Sequence, residues 1–305
     1  MTVQRDYYAR RVGSSSERPQ LTLAEVASQI AAVYRTIESN GYLQRSFGYD
    51  CVDAGEVPGL VGTDLRMEHY LRTGIKIEGS VSDAIQSADE ITLFTIIEFI
   101  HDHVAKPGDG AGHNHTWNSC GFHVDPKNRN FDEKKARAEW RDKVNSALRF
   151  YERGYELSET GEIVQVASHG MERLIVATPA AGSEPTNAAK LANAVHSFQL
   201  GRSTREQRKQ AVRELVDILE YHRDVVKTTM SKDEADLFII ANKFALRHHK
   251  ATQQDDYDDA WLTWLFYIYL ATAHLVLGRA SGTAAFTEVS AAPAVETPDA
   301  DDIPF

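Results

Sequence analysis

Apolar positions along this chain recur mainly at helical spacing, and polar residues mark where the runs begin. Thr22-Leu-Ala-Glu25, Ser203-Thr-Arg-Glu206 and Ser231-Lys-Asp-Glu234 each set a hydroxyl three residues before a carboxylate at the head of such a run. In that capping-box arrangement the two side chains satisfy each other's backbone N–H groups. The three boxes predict helices near 23–39, 204–226 and 232–248. Pro185, after Ser183-Glu184, opens a further helix that Gly201 closes. Proline has no N–H to lose in a first turn, and glycine accepts the left-handed exit. Residues 91–104 read as a buried helix, and Phe131-Asp132 opens one that runs to about Arg153.

Between these runs the pattern weakens. Residues 41–79 are glycine-rich with broken apolar runs, which predicts loops and short helices, and 107–130 is a long loop rich in glycine and histidine. Loops of that length are functional or disordered more often than incidental. Tyr155-Glu-Leu157, a turn at 158–161 and an alternating stretch from Glu162 to Ala167 predict a β-hairpin. The expected fold is therefore mainly α. A helical N-terminal lobe with a small β-hairpin covers 1–178, a linker spans 178–186, a helical bundle covers 184–279, and a disordered acidic tail covers 280–305. No internal repeat is present.

Residues 260–277 are apolar except at Thr263, Thr272 and His274, long enough to cross a membrane. The central helix of a bundle has the same composition. His274 and the aspartates just before the run favour the bundle, so no membrane partner is expected. The chain has 305 residues, a formal charge of −11 and 2 cysteines. That length buries a substantial core, the acidity argues against non-specific duplex binding, and two cysteines do not staple a secreted domain. Met1-Thr2-Val3-Gln4-Arg5-Asp6 has no apolar signal core, so a cytoplasmic protein is expected. There is no Walker loop, dinucleotide glycine fingerprint, Gly-x-Ser-x-Gly elbow or His-Glu-x-x-His, which disfavours a conventional nucleotide-dependent enzyme.

Three constellations carry candidate chemistry. The first is Asn242-Lys243-Phe-Ala-Leu-Arg247-His248-His249, followed by Asp255, Asp256, Tyr257 and Asp258. It gathers a fixed cation, two imidazoles and carboxylates at one helix–helix junction. Arginine stabilises a developing phosphorane and histidine shuttles protons, the minimum for metal-free RNA cleavage with Arg247, His248, His249 and Asp255 as catalytic candidates. Equally, these histidines suit a polar helix end, capping carbonyls and pairing with the aspartates. This lobe resembles the HEPN-like helical domains of bacterial abortive-infection proteins. The resemblance implies an RNA substrate and pairing of two copies. Nucleases of that group set an arginine a short way before a histidine. Here Lys243 or Asn242 stands at that distance from His248 and His249, and no arginine does.

The second is His113-Asn-His115-Thr-Trp117-Asn-Ser-Cys120-Gly-Phe-His123, where His113, His115, Cys120 and His123 offer three imidazoles and a thiol suited to zinc. The spacing matches no common finger, and such loops also pack through hydrogen bonds to the backbone. No other cofactor is expected. The third joins Gly48-Tyr-Asp-Cys51-Val-Asp53 to Phe131-Asp132, Arg137, Trp140, Arg141, Asn145 and Gly154-Tyr155-Glu156-Leu157. The order of these pieces resembles uncharacterised bacterial proteins grouped with abortive-infection families, which implies a defence or stress context. Arg137 and Arg141 also fit a solvated helix face with Glu133 and Glu139 beside them.

The chain closes on Asp301-Asp302-Ile303-Pro304-Phe305, after about twenty residues without lysine or arginine. Phe305 and Ile303 offer apolar anchors, Pro304 stiffens the segment, a terminal carboxylate takes an arginine fork, and the aspartates speed encounter with a basic patch. This tip resembles the extreme C-terminus of bacterial single-stranded DNA-binding proteins. The resemblance implies capture by helicases and repair nucleases that read that tail.

Overall fold

The computed structural model describes residues 8–12, 20–110, 112–115, 121–152, 154–168, 170–231, 234–244 and 257–282. The protein is mainly helical, with small two-stranded sheets. It divides into two compact units, Met1–Val166 and Ala167–Phe305, each with its own hydrophobic core.

The first unit opens with α1 (Tyr8–Arg11), α2 (Leu23–Ser39) and α3 (Gln44–Phe47), then β1 (Tyr49–Cys51) and β2 (Gly55–Val57). It continues through α4 (Leu65–Thr73), α5 (Val81–Ser87) and α6 (Glu90–His103), then β3 (Lys106–Pro107), β4 (Gly112–His115), β5 (Gly121–Val124) and β6 (Phe131–Asp132). The unit ends with α7 (Glu133–Leu148), β7 (Tyr155–Leu157) and β8 (Ile163–Gln165). Helix α2 begins where the sequence predicts, because Thr22 and Glu25 form the capping box: Thr22 N donates to Glu25 Oε2 at 2.8 Å, and Glu25 N donates to Thr22 Oγ1 at 3.3 Å. Helices α2, α5, α6 and α7 close around Ile30, Tyr34, Ile85, Ile97, Trp140 and Leu148. The expected hairpin is β7–β8, registered by Leu157 opposite Ile163. The 107–130 stretch holds a second one, β4–β5, with His113 opposite His123.

The second unit contains α8 (Glu172–Ile175), α9 (Pro185–Gln199), α10 (Arg205–Tyr221), α11 (Arg223–Met230), α12 (Glu234–Lys243) and α13 (Asp259–Ala280). Two sequence expectations shift here. The box opening α10 is Thr204 with Gln207, one residue beyond the Ser203–Glu206 pair: Gln207 N donates to Thr204 Oγ1 at 3.2 Å, and Thr204 N to Gln207 Oε1 at 2.8 Å. Ser203 instead donates to Ser197 O at 2.7 Å. The predicted 204–226 helix breaks at His222, where ψ turns to 29° and α11 begins. Apolar periodicity carries across that break, so the pattern conceals it.

Helix α13 is the one described helix long and apolar enough to span a membrane. In this fold it is the central element of the second core. Leu262, Phe266, Tyr269, Leu270, Ala273 and Leu277 are fully covered by α8, α9, α10, α11 and α12. Leu174 and Ile175 of α8 pack on the same core, so the boundary between the units falls after Val166 rather than within 178–186.

Candidate functional site

Three elements of the second unit converge at one end of the bundle: the last turn of α12, the lead-in to α13 at Tyr257-Asp258, and the first half of α10. Asp258 caps α13 by accepting from Trp261 N at 2.8 Å, which places Asp259 in the first turn with its carboxylate toward α10. Capping by Thr204 starts α10 so that Arg205, Arg208, Lys209 and Arg213 follow at three- and four-residue intervals, against a single acid, Glu206. Arg205 Nη1 meets Asp259 Oδ1 at 3.0 Å, and its Nη2 donates to the Tyr257 carbonyl. Arg208 Nη2 donates to Thr263 Oγ1 at 2.9 Å, and its Nη1 lies 3.7 Å from Asp259 Oδ2. Arg213 pairs with Glu206 at 2.7 Å.

The cations also rest on rings. Arg205 stands 4.7 Å and Lys209 5.6 Å from the Tyr257 centroid, and Arg208 stands 4.4 Å from that of Phe198. Lys209 is 4% exposed. Burial, then the neighbouring Arg205, holds its ammonium below the usual lysine range, with Arg213 adding to the effect and Glu206 opposing it. Burial likewise pushes the Tyr257 phenol up, although Arg205 acts against the shift. A lysine whose charge is disfavoured by burial and by neighbouring arginines occurs at anion-handling and proton-handling sites and also in structural ion-pair networks.

The segment that the sequence singles out leaves the described chain at Phe244 and rejoins it at Tyr257. Tyr257 Oη donates to Phe244 O at 3.3 Å, so the residues on either side of 245–256 are tied together beside Arg205. Arg247, His248, His249, Asp255 and Asp256 lie outside the described residues. Asn242 and Lys243 end α12, and both are exposed. Asp301, Asp302, Ile303, Pro304 and Phe305 also lie outside the described residues.

In the first unit, Cys120 and the side chains of His113 and His115 lie outside the described residues. His123 is buried and stacks on Tyr49, with centroids 4.3 Å apart. Among the described residues no group of three or more His, Cys, Asp or Glu side chains is placed to hold a metal ion. The third constellation is architectural in what it contacts. Trp140 Nε1 donates to Ile97 O at 3.1 Å, and Asn145 clamps Leu157 through both of its amide atoms, at 3.1 and 2.6 Å. Arg137 and Arg141 face Glu133 and Glu159 at 3.7 and 3.5 Å on a partly exposed face. Glu139 turns away from them to accept from Tyr42 at 2.5 Å and Lys106 at 2.6 Å.

The α10 cations belong to none of the three constellations that the sequence marks. Their signal was available in the spacing of Arg205, Arg208, Lys209 and Arg213, which puts them on adjoining faces of a single helix. Comparison with known protein families, with characterised proteins and with solved structures finds no match to this chain.

Proposed function

We propose that this protein is a cytoplasmic defence- or stress-type docking protein. Its Asp301-Asp302-Ile303-Pro304-Phe305 segment engages proteins that read the tail of bacterial single-stranded DNA-binding protein, delivering the chain to replication and repair machinery. The observation that carries the reading is charge segregation. Residues 281–305 hold Glu288, Glu296, Asp299, Asp301 and Asp302 with no lysine or arginine, and finish in two apolar anchors around a proline. A basic pocket lined with apolar groups is the complement of that pattern. In a pull-down from bacterial lysate, the full chain is expected to recover DNA helicases or repair nucleases, and Phe305→Ala to lose them without loss of helix content. Identical recoveries would sink the docking reading.

A second reading is favoured by the end of the bundle just described. Arg205 and Lys209 stand over the ring of Tyr257, the first described residue after 245–256. Two cations thus stand where the described chain resumes after the stretch that carries Arg247, His248 and His249 in sequence, and a positive field there would support this reading. Such a field holds a phosphodiester where a histidine can move its protons, without a metal. The second unit is then an RNA-cleaving effector, and the tail segment supplies its location. Overexpression is expected to be toxic and to degrade RNA, and His248→Ala combined with His249→Ala to remove both effects. Equal toxicity of that double variant would count against the cleavage chemistry.

A further inference from the structure

A cavity of about 640 Å³ opens in the first unit between the end of α2, the β1–β2 hairpin and the starts of α4 and α5. That volume falls within the range of small-molecule sites. Leu43, Phe47, Val57 and Leu65 supply its apolar wall. Tyr34 also lines it, almost fully buried, and its phenol donates to Glu38 Oε1 at 2.9 Å. Carboxylates enter the lining from separate elements: Glu38 of α2, Asp50 of β1 and Glu56 of β2. The one basic side chain there, Arg66, is already engaged. Its Nη1 donates to Gly79 O at 3.1 Å, and its Nε lies 3.6 Å from Asp64, the cap of α4. With Arg66 and Asp64 cancelling each other, the cavity keeps the charge of Glu38, Asp50 and Glu56.

The hairpin register is a second, separate observation. Asp50 stands directly opposite Glu56, so two like charges share one face of a two-stranded sheet, their Cβ atoms about 5 Å apart. Such a pair destabilises a sheet, and a cation lying over it reverses the effect. Neither acid is paired with a lysine or arginine among the described residues.

We infer that this cavity binds a linear polyamine through Glu38 and the Asp50–Glu56 pair. The sign of the charge excludes phosphates and nucleotides. Its spread disfavours a single metal ion, because among the described residues no group of three His, Cys, Asp or Glu side chains is placed to hold one. Carboxylates set on separate elements match ammonium groups separated by methylenes, and the methylenes lie along the apolar wall. One lysine from a protein partner would meet one of these acids and leave the others unmatched. The site stands wholly within the first unit and rests on neither functional reading above.

The test is isothermal titration of spermidine into the full chain at low ionic strength, with the thermal unfolding midpoint followed in parallel. One spermidine per chain is expected, bound more weakly as salt rises. Asp50→Asn should weaken binding about tenfold, the loss of one hydrogen bond between charged groups. The same variant should raise the midpoint of the ligand-free protein, because repulsion across the hairpin is relieved. Glu56→Gln should do both as well, and Glu38→Gln should weaken binding without that gain. Asp142→Asn, an exposed acid of α7 outside the lining, should leave affinity unchanged.

Unchanged affinity in Asp50→Asn and Glu56→Gln would overturn the inference. A lowered ligand-free midpoint in both would also overturn it, by making the pair structural. Several weak sites that Asp142→Asn reduces equally would mark adsorption to an acidic surface instead. Tighter binding of magnesium alone would hand the cavity to a metal ion, and tighter binding of an oligolysine peptide would hand it to a partner's basic segment.

Discussion

Gly48 has φ 69° and ψ −151°, a region that only glycine occupies without strain. A Cβ there would also stand 1.7 Å from the Val57 carbonyl oxygen, because β2 folds back directly over it. Gly55, in the same hairpin, has φ 70° but nothing within 4 Å of an added Cβ. The two positions separate backbone preference from steric closure. Gly55→Ala is expected to cost about 1 kcal/mol, the penalty of a left-handed conformation for an L-residue. Gly48→Ala adds a collision with backbone that has no flexible end to move aside, and should lower the first unit's stability by roughly 3 kcal/mol or more. Urea unfolding of the two variants followed by circular dichroism measures the difference, and equal midpoints would refute the contact. At this scale the sequence was only half legible. Gly48-Tyr-Asp-Cys51 stood out as a motif, but the need for glycine comes from Val57, which local pattern does not reveal. Asn145 is similar: its type and place were visible, while its two bonds to Leu157 required the chain to return.

Helix starts were the most legible elements, because a cap is a contact between residues three apart. Thr22 with Glu25, Glu184 with Pro185, and Asp132 ahead of α7 all appear where their side chains predict. Short strands were legible only where turn residues and alternation coincided, as in β7–β8. Strands β4 and β5 were hidden among glycines and histidines, because what holds them is distant in sequence. Gln44 of α3 donates from Nε2 to Phe122 O at 2.6 Å and accepts from Val124 N at 2.8 Å. One side-chain amide thus replaces the neighbouring strand that β5 lacks on that edge. Gln44→Ala leaves two part-buried backbone groups without these partners, a loss of about 1–3 kcal/mol for each group that water does not reach. The expected result is faster hydrogen exchange at Val124 in the β4–β5 hairpin, with the α2 amides unchanged. Uniform acceleration across the first unit would show that the clamp supports the whole core rather than the hairpin. The α10 cations stayed unread for a related reason. Their spacing was visible, but their meaning depends on Tyr257 and Asp259, about fifty residues away.

Whole-molecule organisation depends on where one core stops and the next begins, and here sequence composition misleads. Residues 178–186 look like a linker because they hold Pro179, Gly182, Ser183 and Pro185. Yet the stretch before them already belongs to the second unit. Leu174 and Ile175 pack on its core, and Ser168 N donates to Tyr267 Oη at 3.0 Å. Four residues of helix are too short to show a periodicity, so α8 could not be assigned to either side from pattern alone. The consequence is measurable. A fragment covering 167–305 keeps α8 on α13, whereas one covering 184–305 exposes the surface that Leu174 and Ile175 cover. Each of those side chains is only partly buried, so the shorter fragment should be less stable by about 2 kcal/mol, less than the roughly 3 kcal/mol that two fully buried side chains would contribute at the least. Chemical denaturation of the two fragments compares them directly. Equal stabilities would return the boundary to 178–186 and make α8 an ornament of the linker. The same pair of fragments bears on function, because both retain the α10 cations and the 301–305 segment. If the second unit alone handles RNA, the two should bind a single strand equally once both are folded, and any difference should track the fraction folded rather than intrinsic affinity.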